Sequence, residues 1–116
     1  MPQYMLFLYD DPTGWAKLSP EEMQKALEKY IAWGQKATSG GYLRGSHRLA
    51  EDVGKVMRGR KVTDGPYSET KEILGGYYLI EATSYDQAVE RSKDHPHLEY
   101  DGTIEVRQLH PMHEQA

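Results

Sequence analysis

His47 and Asp64 are the residues of this sequence whose types and positions suit acid–base chemistry. A carboxylate bonded to an imidazole holds one tautomer of the ring and raises its basicity. The pattern predicts that His47 lies in one strand and Asp64 directly after the next, so that a hairpin would bring them together. His47 would then be the catalytic base and Asp64 its orienting partner. The alternative is that His47 lies on a strand surface and that Asp64 accepts amide hydrogens within its own turn.

Three arginines form a candidate anion-binding group: Arg58, Arg60 and Arg107. The planar guanidinium matches the geometry of a carboxylate or a phosphate. Arg58 and Arg60 alternate in one predicted strand and would therefore share a face. The alternative is that the arginines pair with acidic side chains of the protein itself, namely Glu69, Glu72 and Glu105.

One segment organises these candidates, and it runs from Lys61 to Tyr78. Its centre, Asp64-Gly65-Pro66-Tyr67, has the residues of a turn, because Asp bonds its own backbone, Gly permits positive φ and Pro fixes φ. Charged residues follow, and an apolar strand begins at Gly76. Long charged loops held by Gly and Pro often carry function. We therefore predict that Tyr67 and Glu69 contact a substrate; a solvated hairpin loop is the alternative.

The histidines towards the end of the sequence do not form a specific metal-binding pattern. His95 and His97 flank a proline at the end of a predicted helix, and His110 and His113 follow the last strand. Neither pair has the i, i+4 helical spacing that zinc-binding motifs use. The sequence also lacks a P-loop, a dinucleotide-binding motif and a G-x-S-x-G motif. We predict no metal and no cofactor.

The elements that position the candidates follow the order β-α-β-β-β-α-β. Gln3 to Tyr9 is apolar on both faces, which is typical of a central strand. Ser19-Pro20-Glu21-Glu22 has the N-cap, N1 and N3 residues of a helix start. The apolar stripe predicted for this helix comprises Met23, Leu27, Tyr30, Ile31 and Gly34. The other predicted elements are strands at residues 42–49, 54–63, 76–82 and 103–109 and a helix that begins at Ser84.

This order predicts a ferredoxin-like α+β fold in one domain that spans residues 1–116. Short connections and right-handed crossovers place both helices on one face of an antiparallel sheet. The first strand nevertheless has apolar residues on both faces: Met5, Phe7 and Tyr9 on one, and Tyr4, Leu6 and Leu8 on the other. An uncovered apolar face of this size is unusual for a monomer. We therefore predict a two-fold homodimer that packs sheet against sheet.

The composition, 38% hydrophobic and 28% charged, is that of an ordinary soluble globular chain. A formal net charge of −4 argues against nucleic acid as a partner. The lack of cysteine excludes disulfides and a thiol nucleophile and is in keeping with the cytosol. No apolar run approaches the roughly 20 residues of a membrane span. The aromatic residues suit a pocket for a flat organic ligand, and they suit a packed core nearly as well.

The central segment resembles the signature of the YCII-related proteins of the DGPF type. The run from Val62 to Glu72, followed by Gly75-Gly76-Tyr77-Tyr78, carries the resemblance. The start Tyr4-Met5-Leu6, the helix opening at Ser19 and the ending Ile104-Glu105-Val106-Arg107 are also similar to that family. Tyr67 departs from the pattern, because the family usually has Phe there. Tyr has the same aromatic ring as Phe and adds a hydroxyl, so we expect the loop to keep its shape.

The resemblance implies a dimeric α+β barrel of ferredoxin-like subunits in the bacterial cytoplasm. Some wider YCII relatives are thought to use a His–Asp pair on small molecules, including the dehalogenation of hydroxylated aromatics. Their histidine lies near the first helix, whereas residues 15–38 of this sequence contain none. Proteins of the DGPF type also occur beside extracytoplasmic-function sigma factors. Two functions therefore remain open: a cofactor-free acid–base enzyme acting on a small aromatic substrate, and a non-catalytic ligand-sensing or regulatory protein.

Overall fold

The computed structural model describes residues 1–67 and 72–111. Its strands are β1 (Gln3–Asp10), β2 (Leu43–Arg48), β3 (Lys55–Arg58), β4 (Lys61–Asp64), β5 (Ile73–Glu81) and β6 (Thr103–Gln108). Its helices are α1 (Pro12–Ala16), α2 (Pro20–Ser39) and α3 (Tyr85–Ser92), and a 3-10 helix spans Pro96–Tyr100. None of the helices in these two ranges is long and apolar enough to cross a membrane.

Four strands form one antiparallel sheet in the order β2-β5-β1-β6. β1 lies inside this sheet, between β5 and β6, as its apolar character on both faces predicts. With α2 and α3 as the two crossover helices, the arrangement is the ferredoxin-like one that the order of elements indicates. Within the described residues the sheet is open, and β2 and β6 are its edges.

The core lies between one face of this sheet and the helices α2 and α3. Tyr4, Leu6 and Leu8 of β1 are buried there, together with Trp33 of α2 and Ala88 of α3. Burial of a large apolar side chain stabilises the fold by about 1.5–3 kcal/mol. A slip of β1 by one residue would move its three core side chains to the other face, so the core also fixes the register of β1.

Helices α2 and α3 begin where the sequence predicts. Ser19 Oγ accepts a hydrogen bond from the Glu22 amide, and the Glu22 carboxylate accepts one from the Ser19 amide, each at 3.1 Å. This pair is the predicted capping box. At the start of α3, Ser84 Oγ accepts from the Gln87 amide at 3.1 Å. Both caps satisfy amides that a helix start leaves without an intrahelical partner.

The buried stripe of α2 differs from the prediction. The buried side chains of this helix are Ala26, Trp33 and Ala37. Tyr30 is half-buried beside them, as predicted, but Leu27 is exposed and Ile31 is 61% exposed. The prediction for Leu27 and Ile31 is therefore wrong. The prediction considered only the hydrophobicity of each side chain. In the structure, small alanines let the helix approach the sheet, and Trp33 fills the one large space that remains.

Residues 54–63 were predicted to form one strand, but most of this stretch lies in a separate two-stranded hairpin. β3 and β4 pair with each other, with Lys55 opposite Asp64 and Arg58 opposite Lys61. Gly59 in the connecting turn has a φ of 63°, which glycine adopts without steric cost. The prediction extended the strand through Gly59, although an isolated glycine within a strand pattern signals a break in regular backbone. We call residues 55–64 the arm.

The turn that follows the arm requires a glycine. The Gly65 amide donates to the Gly54 carbonyl at 3.0 Å, which closes the base of the arm. A Cβ atom on Gly65 would overlap the carbonyl oxygen of Val53, so no larger residue fits there. The peptide between Gly65 and Pro66 is cis. The chain therefore turns at Gly65 as predicted, but for other reasons. Gly65 is needed for lack of space rather than for a positive φ, and the Asp64 carboxylate contacts Lys55.

Candidate functional site

The face of the sheet opposite the helices, which we call the open face, gathers polar and aromatic side chains in one row. Residues that lie opposite each other on antiparallel neighbours project from the same side. Such partners cross all four strands: His47 in β2, Tyr77 in β5, Phe7 in β1 and Glu105 in β6. Other side chains on this face are those of Met5, Tyr9 and Leu79. The open face is thus an apolar floor with polar groups at both edges.

His47 and Tyr77 form the closest polar contact of this row. The distance between His47 Nδ1 and the Tyr77 hydroxyl oxygen is 2.6 Å, and the ring centroids lie 5.5 Å apart. If the phenol donates, Nδ1 is the acceptor and Nε2 carries the proton; if Nδ1–H donates, Nε2 has a free lone pair. Because His47 is exposed, Nε2 is within reach of a ligand. In the second tautomer His47 can act as a general base.

A second polar pair lies at the opposite edge of the open face. The Tyr9 hydroxyl donates to Glu105 Oε1 at 3.0 Å. Burial and then this bond to the carboxylate raise the pKa of Tyr9, so the phenol stays protonated at neutral pH. Arg107 lies 3.9 Å from the other Glu105 oxygen. The predicted alternative for Arg107, an ion pair with Glu105, is therefore what the structure shows.

Asp64, the predicted partner of His47, lies on the arm. Its carboxylate contacts Lys55 Nζ at 2.5 Å across the two strands, and both side chains are largely exposed. Within the described residues, His47 and Asp64 therefore bond to different residues, Tyr77 and Lys55. The structure does not bring the predicted pair into contact. Catalysis by either residue stays a prediction.

The residues predicted to bind substrate also belong to the arm and the turn after it. Arg58 ends β3 and lies 3.4 Å from the Tyr67 hydroxyl, with its guanidinium carbon 5.7 Å from the centre of that ring. Arg60 lies in the turn of the arm. The prediction that it shares a strand face with Arg58 is therefore wrong. Glu69 lies outside the described residues. The structure thus brings together Arg58 and Tyr67 of the predicted set.

Two depressions in the described part of the chain are open to solvent, and neither is lined by a residue of the open face. A shallow depression of about 100 Å³ lies between α3, the 3-10 helix and β6, lined by Val89, Ser92, Lys93, Leu98, Ile104 and Val106. Binding pockets for drug-sized molecules have volumes of about 300–1,000 Å³. The depression adjoins the helix-covered side of β6, away from His47. A wider groove of about 450 Å³ lies on exposed side chains at the start of α2, lined by Pro20, Glu21, Gln24, Lys25 and Glu28.

The sequence interpretation missed a buried histidine pair. His95 and His97 are only 1% and 2% exposed. The His97 amide donates to His95 Nδ1 at 2.9 Å, so the His95 proton lies on Nε2, which is 3.0 Å from the Tyr78 hydroxyl. His97 Nε2 lies 2.7 Å from the Tyr9 carbonyl oxygen and carries its proton, while Nδ1 lies 2.7 Å from the Tyr30 hydroxyl. Both nitrogens of each imidazole therefore have a hydrogen-bond partner.

This pair stabilises the fold rather than offering a reactive group. Burial, and then the neighbouring His97, lower the pKa of His95 to about 3. Burial also raises the pKa of Tyr78 to about 12, so the phenol remains protonated. Among the described residues no group of three or more His, Asp or Glu side chains is placed to hold a metal. A signal was present in the sequence, because His95 precedes Pro96 as the N-cap residue of a helical turn.

Comparisons with known proteins cover nearly the whole chain. A family model described as the YCII-related domain matches residues 2–113. An uncharacterized protein of Rhizobium meliloti (strain 1021) is 30% identical over 112 residues, which cover 91% of this chain and 90% of that protein. Both the open face and the arm lie within the range of the family model.

Proposed function

The chain belongs to the YCII-related family, and from this premise we propose that it binds a small organic molecule on its open face and uses His47 as a cofactor-free general base. The contact of 2.6 Å between His47 Nδ1 and the Tyr77 hydroxyl carries the proposal. It provides an oriented and exposed imidazole beside an apolar floor. In this proposal Tyr77 orients the base, the role that the sequence interpretation gave to Asp64.

The proposed chemistry is proton transfer on a flat, aromatic substrate. Its ring packs on Phe7 and Met5, because aromatic and thioether side chains offer favourable contacts to a π-system. His47 Nε2 takes an acidic proton from the substrate while Nδ1–H donates to the Tyr77 oxygen, which stabilises the imidazolium. Nε2–H exchanges with solvent and then protonates the substrate anion at a different atom. The product is therefore an isomer of the substrate, and the enzyme ends in its starting state. Arg107 and the Tyr9–Glu105 pair recognise a polar substituent at the far edge.

The other wall of this site is a second copy of the chain. The apolar residues of the open face are only partly buried within one subunit, and two helices cover the opposite face. Two open faces packed across a two-fold axis would bury these side chains and enclose a dimeric α/β barrel. We also propose that the chain is of the DGPF type within this family and that the protein is located in the cytoplasm.

A ligand screen with matched variants tests the site. We expect aromatic carboxylates or phenols to raise the melting temperature of the wild-type protein, and the active compounds to be turned over with loss of a substrate proton to solvent deuterium. His47→Ala should lower turnover at least 100-fold and keep the fold, because the side chain is exposed. Ser46→Ala, on the opposite face of β2, is the control and should match the wild type.

Two outcomes would contradict the enzyme proposal. The first is full turnover in His47→Ala, which would place the chemistry elsewhere. The second is binding on the open face without turnover of any compound that binds. That second result would favour the alternative function, a ligand-sensing or regulatory protein such as a partner of an extracytoplasmic-function sigma factor.

A further inference from the structure

The arm leaves its apolar side chains uncovered within one chain. Met57 and Val62 lie opposite each other on β3 and β4 and are 76% and 58% exposed. Tyr67, just beyond the arm, is 73% exposed. Within the described residues the arm pairs with no other strand. An isolated two-stranded hairpin is at best marginally stable in water, so the arm needs a packing partner to keep its shape.

We propose that the arm of each chain lies on the body of a second copy of the same chain. The inference rests on the two-fold dimer proposed above and adds to it a second contact region, outside the open face. Met57 and Val62 supply the apolar side of this contact. The arm also carries the Arg58–Tyr67 contact with it, so these two predicted ligand-binding residues would lie at the subunit interface.

The accessible surface of the chain is large enough for an interface with a second copy. The accessible surface is 8327 Å², whereas a compact monomer of 13.3 kDa has about 6,500 Å². The radius of gyration is 15.5 Å, compared with about 13.4 Å for a compact domain of this length. The surplus of roughly 1,800 Å² exceeds the 800 Å² or so that each partner buries in a standard interface.

The charge distribution identifies a second copy as the partner. The arm contains four basic residues, Lys55, Arg58, Arg60 and Lys61, and one acidic residue, Asp64, which give it a formal charge of +3. Because the whole chain carries −4, the rest of the chain carries −7. A basic arm is therefore complementary to the acidic body of an identical subunit. The net charge of +3 on the arm is small for a nucleic-acid-binding surface, because such proteins usually make about 6–10 phosphate contacts.

Photo-crosslinking from the arm tests the contact directly. The photoreactive amino acid p-benzoylphenylalanine replaces Met57, and the same residue placed at the exposed Gln35 of α2 is the control. Irradiation of the position-57 protein should give a covalent dimer of about twice 13.3 kDa on a denaturing gel, with peptides that join the arm to the body of the other chain. Cross-links confined to one chain, in a protein that sediments as a dimer, would overturn the arm contact and leave the proposed dimer intact. If the wild-type protein sediments as a monomer, both the arm contact and the proposed dimer are wrong.

Charge reversal provides a second, independent test. Arg60→Glu with Lys61→Glu changes the formal charge of the arm from +3 to −1. Lys17→Glu with Lys25→Glu changes the net charge of the body by the same amount. We expect the arm variant to raise the dimer dissociation constant at least tenfold and the body variant to leave it within twofold or to lower it. Equal effects of the two variants would overturn the contact, since only net charge would then matter. Binding of an oligonucleotide by the wild-type arm, lost in the arm variant with the dimer unchanged, would also overturn it.

Discussion

The Tyr77 hydroxyl lies 2.6 Å from Nδ1 of His47, and this contact joins two strands that are 30 residues apart in the sequence. The register of β2 against β5 sets it, because His47 is directly opposite Tyr77. Facing partners on antiparallel strands have Cβ atoms about 4.5–5.5 Å apart, which is within reach of both rings. The backbone therefore holds the candidate base in place without a contribution from the loops.

Tyr77→Phe should release the His47 ring while the fold stays intact. The change removes one hydroxyl from a half-buried residue, so the free energy of unfolding should fall by less than about 1 kcal/mol. Nitrogen NMR of the imidazole, which distinguishes the two tautomers, should show a clear preference in the wild type and a mixture in the variant. Turnover of any substrate found by screening should fall about tenfold. Tyr67→Phe on the arm turn is the control; a His47 spectrum that is identical in all three proteins would contradict the orienting role of Tyr77.

The buried His95 should make the protein less stable in mild acid. Its pKa is about 3 in the fold, compared with about 6.5 in the unfolded chain. Between these values the unfolded chain binds a proton that the folded chain does not, so the free energy of unfolding falls as the pH falls. The loss from this group is at most about 1.4 kcal/mol for each pH unit below 6.5 and ends near pH 3. Urea unfolding at pH 7, 6 and 5 measures it.

His95→Asn is the control for this pH dependence. Asn is a good N-cap residue and can still accept from the His97 amide, but it does not titrate. We expect the variant to be less stable at pH 7, because it loses the contact with the Tyr78 hydroxyl, and to show a flatter dependence on pH. Equal slopes in the two proteins would show that other groups cause the acid sensitivity.

Gly102→Ala should destabilise the fold through His97. A Cβ atom at position 102 would overlap the His97 imidazole, which is 2% exposed and bonded at both nitrogens. The ring would have to move and lose these bonds, at a cost of about 2–4 kcal/mol. Thermal and urea unfolding measure this loss. Gly34→Ala in α2 is the matched control, because its new Cβ has no atom within 4 Å apart from its neighbours in the chain and the backbone of its own helix. We expect it to stabilise the protein by about 0.5–1 kcal/mol.

Most of the fold was predictable, because its main determinants are local or periodic. The apolar run of β1, the capping box at Ser19 and the Ser84 N-cap each appear within a few residues of sequence. Together they fix the order of the elements, and the order restricts the topology. The turn at Gly59 was missed although a signal was present, because Gly59 interrupts the strand pattern between Arg58 and Arg60.

The candidate site was predictable in part. His47 could be selected by type, and its place in β2 followed from the strand pattern. Its partner could not, since the register of β2 against β5 decides that Tyr77 rather than Asp64 is opposite. The burial of His95 and His97 was hidden for a related reason. Their bonds go to Tyr78, Tyr30 and the Tyr9 carbonyl, which are 17 to 88 residues away in the chain.

Sedimentation velocity of the wild-type protein and of Phe7→Glu at micromolar concentration tests the central claim, that a second copy covers the open face. Phe7 lies in the middle of the row that crosses all four strands, so a charge there should prevent two faces from packing. We predict a species of about twice 13.3 kDa for the wild type and a folded monomer for the variant. A wild-type protein that sediments as a single chain, or a variant that dimerises as well as the wild type, would contradict the claim.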